Sequence, residues 1–281
     1  MINVFVDTMC FQYAASVKVI NSTRCEKGVV CSSSGEKNDT EIIITEINIL
    51  EKKANFELGI SRDIEAINSI ATNAKLGSVS LCYSHEVNLE LLCQPAVDLA
   101  VGRLHGAPIK IIHSPLLKRA KKNFDSNDSE IYPLKIYPRN IVNNSRREFG
   151  HLSEDEIDKI MRDEIFKTPI NSFRYGLEIK RLISFFKNKY NYCANTPKLF
   201  YPLLKKIKYA RYREILNLLN VNGFSEKNKP NTYMDALHLW TAECDGCNIF
   251  MTLDKNIITR YKNPSLKVLK PRDVLKEIER K

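Results

Sequence analysis

Short apolar runs that end on a polar or acidic residue, separated by stretches of helical periodicity, constrain this chain more than any other feature. Val4-Phe5-Val6 runs into Asp7, Val79–Tyr83 into Ser84, and Ile249-Phe250-Met251 into Thr252-Leu253-Asp254. Between the first two, Ile60, Ile64, Ile67, Ala71 and Ala74 keep one helical face, with Ser61 as the expected N-cap and Gly77 as the stop. Ser84 is the expected cap of a helix running to about Val101. Further strands are expected over 107–112, 247–252 and 266–269, and helices over 232–244 and 271–280. Strands alternating with helices predict a parallel α/β sheet.

Two regions interrupt that alternation. Residues 17–50 read as a β-hairpin with a polar loop around Ser32–Asp39. Cys25 and Cys31 flank a shorter candidate turn, Glu26–Val30, where ordinary packing is the expected role of the thiols and a cross-strand contact the alternative. Residues 114–150 are polar and rich in Pro and Asn, helical patterns return from Ser153 to about Leu219, and Gly223–Pro230 reads as a loop. The expected organisation is therefore a core of 1–100 and 231–281, carrying the 17–50 hairpin, with 101–230 as a largely helical insertion.

Charge marks the insertion. The chain of 281 residues carries a formal net charge of +10. Between Arg174 and Arg213, seven Lys and four Arg face a single acid, Glu178, so this segment alone accounts for the excess. Nine aromatics share the segment, among them Phe185, Phe186, Tyr190, Tyr209 and Tyr212. Basic charge attracts phosphates and exposed rings stack bases, so Lys187, Lys189, Lys205, Lys206, Lys208, Arg211 and Arg213 are the expected nucleic-acid contacts. The competing reading is an amphipathic helical stretch with the aromatics in the core. Lys118–Lys122 forms a second basic cluster of the same ambiguity.

Other classes fall away. No apolar run approaches the ~20 residues of a membrane helix, and the opening Met1–Asp7 lacks the basic leader of a signal peptide, so a cytoplasmic setting is expected. Eight cysteines are too few for a disulfide scaffold of this length. Cys244-Asp245-Gly246-Cys247 lacks a second ligand pair for zinc, and both thiols are expected to be buried.

Open parallel sheets bind ligands at the carboxyl ends of their strands. Asp7 and Asp254 follow strands directly, Glu90 lies two turns into the helix after Ser84, and Asp235 opens a later helix. Clustered carboxylates repel one another unless a cation sits among them, and hard oxygen donors favour Mg²⁺ or Mn²⁺. Thr8 and Thr252 read first as ordinary strand-edge threonines, with orientation of carboxylates or water as the competing reading. Glu86, one turn before Glu90, is its rival, with a role as a dipole partner of the helix N-terminus. His238 reads as a core histidine bonded to backbone, with a catalytic base as the competing reading, His85 is ambiguous, and Trp240 reads as core.

The run Asp235–Glu243 with Gly246–Lys255 resembles the C-terminal signature of PIN-domain nucleases, including VapC toxins. Leu266–Leu275 resembles that family's last strand, proline and helix, Asn3–Thr8 its first strand and acid, and Tyr83–Leu92 the segment of its second acid, which selects Glu90 over Glu86. The resemblance covers somewhat over a third of the chain, and both gaps between the acids exceed those of compact toxins. It implies a PIN-like core and a Mg²⁺/Mn²⁺-dependent nuclease with Asp7, Glu90, Asp235 and Asp254 as metal ligands. RNA is the implied substrate, with DNA as the alternative, and the cut ends would be 5′-phosphate and 3′-hydroxyl. An inhibitory protein partner and a homodimer belong to the same implication. The alternative function is a PIN-like nucleic-acid-binding or scaffold protein that does not cut. A haloacid-dehalogenase-type phosphohydrolase would require a second Asp at position 9, where Met stands.

Overall fold

The computed structural model describes residues 1–14, 17–31, 37–51, 58–92, 104–116, 152–167, 182–183, 185–187 and 189–280. A five-stranded, all-parallel sheet forms the centre. Its strands are β1 (Ile2–Val6), β4 (Val79–Ser84), β5 (Ile109–Ile112), β6 (Ile249–Met251) and β7 (Lys267–Leu269), in the order β5-β4-β1-β6-β7. The chain builds outward from β1 through β4 and β5 in one direction and through β6 and β7 in the other. The carboxyl ends of β1 and β6 therefore form a topological switch point, where α/β sheets open a ligand crevice. Val4, Phe5, Val6, Phe250 and Met251 are fully buried, and Phe5 stacks on Phe250 at 5.1 Å. A strand buried on both faces must be apolar throughout, which is why β1 and β6 read as continuous runs.

The antiparallel hairpin pairs β2 (Val17–Cys31) with β3 (Lys37–Glu51) in an unbroken register from Val17↔Glu51 to Cys31↔Lys37. Gly28 lies inside β2 opposite Thr40, so Glu26–Val30 is not a turn, and Cys25 and Cys31 share one strand rather than facing across two. The helix α2 (Leu58–Lys75) starts before Ser61, which is therefore not its cap. Gly77 does end it, at φ +77, where a residue without Cβ meets no steric penalty.

After β4, Ser84 accepts the Val87 N–H through Oγ at 3.3 Å and opens α3 (His85–Leu92); the expected continuation to Val101 lies outside the described residues. Strand β5 joins the sheet edge, so the core continues past residue 100. Of the insertion, α4 (Glu154–Lys167), α5 (Thr196–Leu204) and α6 (Ala210–Leu218) are described, whereas Lys118–Lys122 and the polar stretch 117–150 lie outside. Helix α7 (Lys229–Cys244) begins earlier than expected, with Pro230 in its first turn, so Asp235 sits in the second turn rather than opening it. Residues of α7 are buried almost all round, as a helix wedged between sheet and insertion requires. Two short helices, α1 (Thr8–Ala14) and α8 (Lys255–Arg260), add to the expected elements, and α9 (Pro271–Glu279) closes the chain.

The described aromatics of the basic segment pack on the core; Tyr175 lies outside the described residues. Phe186, Phe200 and Tyr212 are at most 1% exposed, and Tyr209 and Tyr212 pack on the buried Trp240 at 5.3 and 5.6 Å. Phe186, Phe200 and Tyr212 are thus spent on packing rather than offered as faces for base stacking. Cys247 is buried, its Sγ 3.5 Å from that of Cys82, whereas Cys244 is exposed, contrary to the expectation for the pair. No helix among the described residues is long and apolar enough to cross a membrane.

Candidate active site

All four acids selected from sequence line one cavity of about 380 Å³. Asp7 reaches it from the carboxyl end of β1, Glu90 from α3, Asp235 from α7 and Asp254 from the loop after β6. The switch point thus gathers residues that sequence separates widely.

Each acid is held differently. Asp7 is 4% exposed; Thr252 Oγ1 donates to its Oδ2 at 2.7 Å, and the Asp254 N–H donates to that same hydroxyl at 3.0 Å. Asp254 also N-caps α8, accepting the Asn256 N–H at 2.6 Å, so its cap role and its place on the cavity wall coexist. The Thr8 hydroxyl donates to Glu90 Oε2. Both threonine hydroxyls thus donate to carboxylates, rather than serving only as strand-edge residues.

His238 departs from the expectation of a backbone-bonded core histidine. It is 1% exposed, its Nδ1 lies 3.5 Å from Ser84 Oγ and its Nε2 lies 3.5 Å from Glu90 Oε1, at ion-pair rather than hydrogen-bond geometry. Behind this group, Glu86 is fully buried: Ser114 Oγ donates to its Oε1 at 2.6 Å and its Oε2 has no hydrogen-bond partner. Glu86 is not on the cavity wall, so the geometry favours Glu90 as the pocket acid. His85 stacks on His113 at 4.9 Å, and burial, then the neighbouring imidazole, lowers its pKa to about 4.

The electrostatics follow from crowding. Burial raises Asp7 to about 6, with Glu90 adding to the shift and His238 and Thr252 opposing it. Desolvation raises Asp235 well above the carboxylate range, reinforced by the charges of Asp7, Asp254 and Glu90. Burial works to lower His238, but attraction to Glu90, Asp7 and Glu86 outweighs it and lifts the pKa to about 9. The pocket therefore sets one imidazolium among four crowded acids, and burial and crowding push Asp7 and Asp235 toward their neutral forms.

Those donors suit a hard divalent cation. Among the described residues no three His, Cys, Asp or Glu side chains are already closed into a ligand group. Mg²⁺ does not demand one, because it keeps several waters and takes only one or two direct carboxylates. The carboxylates of Asp7, Glu90, Asp235 and Asp254 on the wall are oxygen donors of the kind that would hold such an ion, directly or through water.

Sequence reasoning misses part of the wall. Gln12, Asn195 and Asn231 line it with Ala194, Thr196 and Pro197. Gln12 lies four residues from Thr8 and Asn231 four before Asp235, a helical spacing that points to both once the acids are chosen. Asn195 comes from the insertion and carries no such signal.

The basic side chains expected to contact nucleic acid stay off the cavity wall. Lys187, Lys206 and Lys208 are exposed, Lys189 lies over the Phe185 and Tyr190 rings, and Lys205 over Tyr201 at 5.3 Å. Arg213 donates to the Lys205 carbonyl at 2.9 Å. Arg211 is engaged by Glu243 through two nitrogens and by Glu214, and the Tyr261 hydroxyl and Asn263 amide join the same Glu243 carboxylate. Its guanidinium joins α6 to α7.

Compared with family models, curated proteins and solved structures, the chain matches none.

Proposed function

We propose that this protein is a metal-dependent nuclease with a PIN-like core, an endoribonuclease that hydrolyses phosphodiester bonds at the Asp7–Glu90–Asp235–Asp254 cavity. The observation that carries the reading is the convergence of these four acids, from separate segments, at a sheet switch point, crowded enough that Asp7 and Asp235 are both raised. The cation that such a pocket favours, Mg²⁺ or Mn²⁺, would supply Lewis acidity toward a phosphodiester and a more acidic water. Around it this chain's residues have definable tasks. Thr252 fixes Asp7, Thr8 fixes Glu90, and the His238 imidazolium faces the other Glu90 oxygen at 3.5 Å. The exposed lysines of the insertion supply a phosphate-attracting surface outside the pocket. A toxin or defence setting, with an inhibitory partner, belongs to this reading through family resemblance.

The test is cleavage of a mixed RNA pool. EDTA should abolish it, and Mn²⁺ or Mg²⁺ should restore it. Asp7→Asn and Asp235→Asn should each remove activity while the melting temperature holds or rises, since each relieves like-charge repulsion. Undiminished cleavage in EDTA would sink the mechanism.

A further inference from the structure

We propose that the rim of the acid cavity seats one unpaired nucleobase and reads it with the amides of Gln12, Asn195 and Asn231; this rests on the nuclease reading and gives that site a base preference.

Depth divides the cavity. Asp7 and His238 are buried, whereas all three amide residues are exposed. They stand at the entrance, around the acids. Among the described residues no Lys or Arg lines the wall, and the exposed side chains there include the three amides. What it offers is neutral and bifunctional. A carboxamide carries a donor and an acceptor side by side, the pattern that base edges present.

Placement is fixed by the fold. Gln12 is one turn from Thr8 on α1, and Asn231 one turn from Asp235 on α7, so each shares a helical face with a residue that also lines the cavity. Asn195 arrives from the insertion as the N-cap of α5, which packs against both α3 and α7. Its Oδ1 accepts the Lys198 N–H at 3.1 Å. The acceptor is thereby used for the cap, and Nδ2 is the atom it can offer a ligand. Met9 and Met234 also line the cavity and provide polarisable, apolar contact for the face of a ring. The volume of about 380 Å³ is near the low end of small-ligand pockets. It admits a nucleotide, not a duplex. A paired base has its recognition edge occupied, so only a splayed, unpaired one can enter.

The experiment measures binding apart from cleavage. Four fluorescent RNA hexamers, one each of A, C, G and U, are titrated by anisotropy onto the full-length Asp7→Asn protein in Mg²⁺. One hexamer should bind about tenfold more tightly than the worst, as a good amide–base pair allows. Asn195→Ala and Gln12→Ala should shrink that preference to about twofold, whereas Lys205→Ala should weaken all four alike. Should Asn195→Ala lower the melting temperature through loss of the cap, Asn195→Asp keeps the acceptor and removes the donor, and must still erase the preference. Equal affinity for all four hexamers, or a preference surviving both Asn195→Asp and Gln12→Ala, overturns the proposal. Failure of the nuclease reading looks different: the unmutated protein would cut no RNA in Mn²⁺, while the base preference in binding persisted.

Discussion

The Thr252 hydroxyl donates to Asp7 at 2.7 Å while accepting the Asp254 N–H at 3.0 Å, so one side chain ties the first acid of the chain to the last of the four. Thr252 is completely buried, and no water can replace it without moving β6. Thr252→Val keeps the shape and removes both bonds. It should lower cleavage roughly 10–100-fold, the usual effect of losing a group that orients a ligating carboxylate. It should also cost about 1–3 kcal/mol of stability, because a buried acceptor and donor are left unmet. Thr252→Ser should retain most of both. Steady-state kinetics and thermal melts of the two variants check this.

The protein without metal should be most stable in mild acid. Asp7 has a folded-state pKa of about 6, above its ordinary value, and His238 about 9, also above. For a raised pKa the folded state holds the proton more tightly, so stability is full below the unfolded value and falls as pH passes the folded one. Asp7 thus removes stability between about pH 4 and 6, of the order of 3 kcal/mol, and His238 between about pH 6.5 and 9. Melting temperatures in EDTA should decline from pH 5 to pH 9. Asp7→Asn should flatten the acidic part of that decline, and Mn²⁺ should reverse it near neutral pH. A melting temperature that rises steadily with pH in EDTA would contradict the charge balance described for the pocket.

Glu90→Gln and Glu86→Gln should separate cleanly. Glu90 faces the cavity with Thr8 and His238 on its two oxygens, whereas Glu86 lies behind with Ser114 on one. Loss of Glu90 should cut activity by at least about 100-fold and weaken Mn²⁺ binding. Loss of Glu86 should act chiefly on His238, lowering its pKa, and leave Mn²⁺ affinity nearly unchanged. Titration of bound Mn²⁺ and an NMR titration of the histidine decide the assignment.

Among the basic residues, Arg211 should behave unlike its neighbours. Neutralising Lys205, Lys206 and Lys208 should leave the melting temperature alone and reduce the slope of log K against log salt by roughly 0.7–0.9 for each phosphate that is no longer neutralised. Arg211→Ala should instead destabilise by about 1–2 kcal/mol, since it strips Glu243 of its bidentate partner in a partly exposed setting. Phe186→Ala, at a fully buried ring, should cost about 3–5 kcal/mol.

Which of these features the sequence discloses depends on the range of the interaction behind each. Asp7 and Asp254 are legible because apolar strands with polar ends are a local pattern, and the parallel sheet orders those ends at one edge; Asp235, inside α7, is legible only through the segment it shares with Asp254. Glu90 is separable from Glu86 only through the family pattern, because both lie on one helical face. His238 is not legible: its partners, Ser84 and Glu90, lie far away in sequence, and nothing local distinguishes them from backbone. The Tyr212 ring gives no local sign of being core, since its burial depends on Trp240 and on a hydroxyl bond to the Tyr233 carbonyl at 2.9 Å. Cap positions slip for a related reason. Ser61 has the right chemistry for a cap, yet α2 starts at Leu58, and local propensity is a weak constraint beside tertiary packing.

The sheet order has a consequence for the life of the protein in a cell. β1 is made first but stands at the centre, and the strand on its far side, β6, is made only after some 240 residues have been added. Until then Asp7 lacks the Thr252 bond, and neither Asp235 nor Asp254 has folded beside it. On the nuclease reading, a nascent chain therefore cannot cut the message or the ribosome that is producing it. At ordinary synthesis rates of roughly 5–20 residues per second, that silence lasts on the order of tens of seconds. On that reading the four acids stand together only once β6 lies beside β1, and the growing chain carries its own delay.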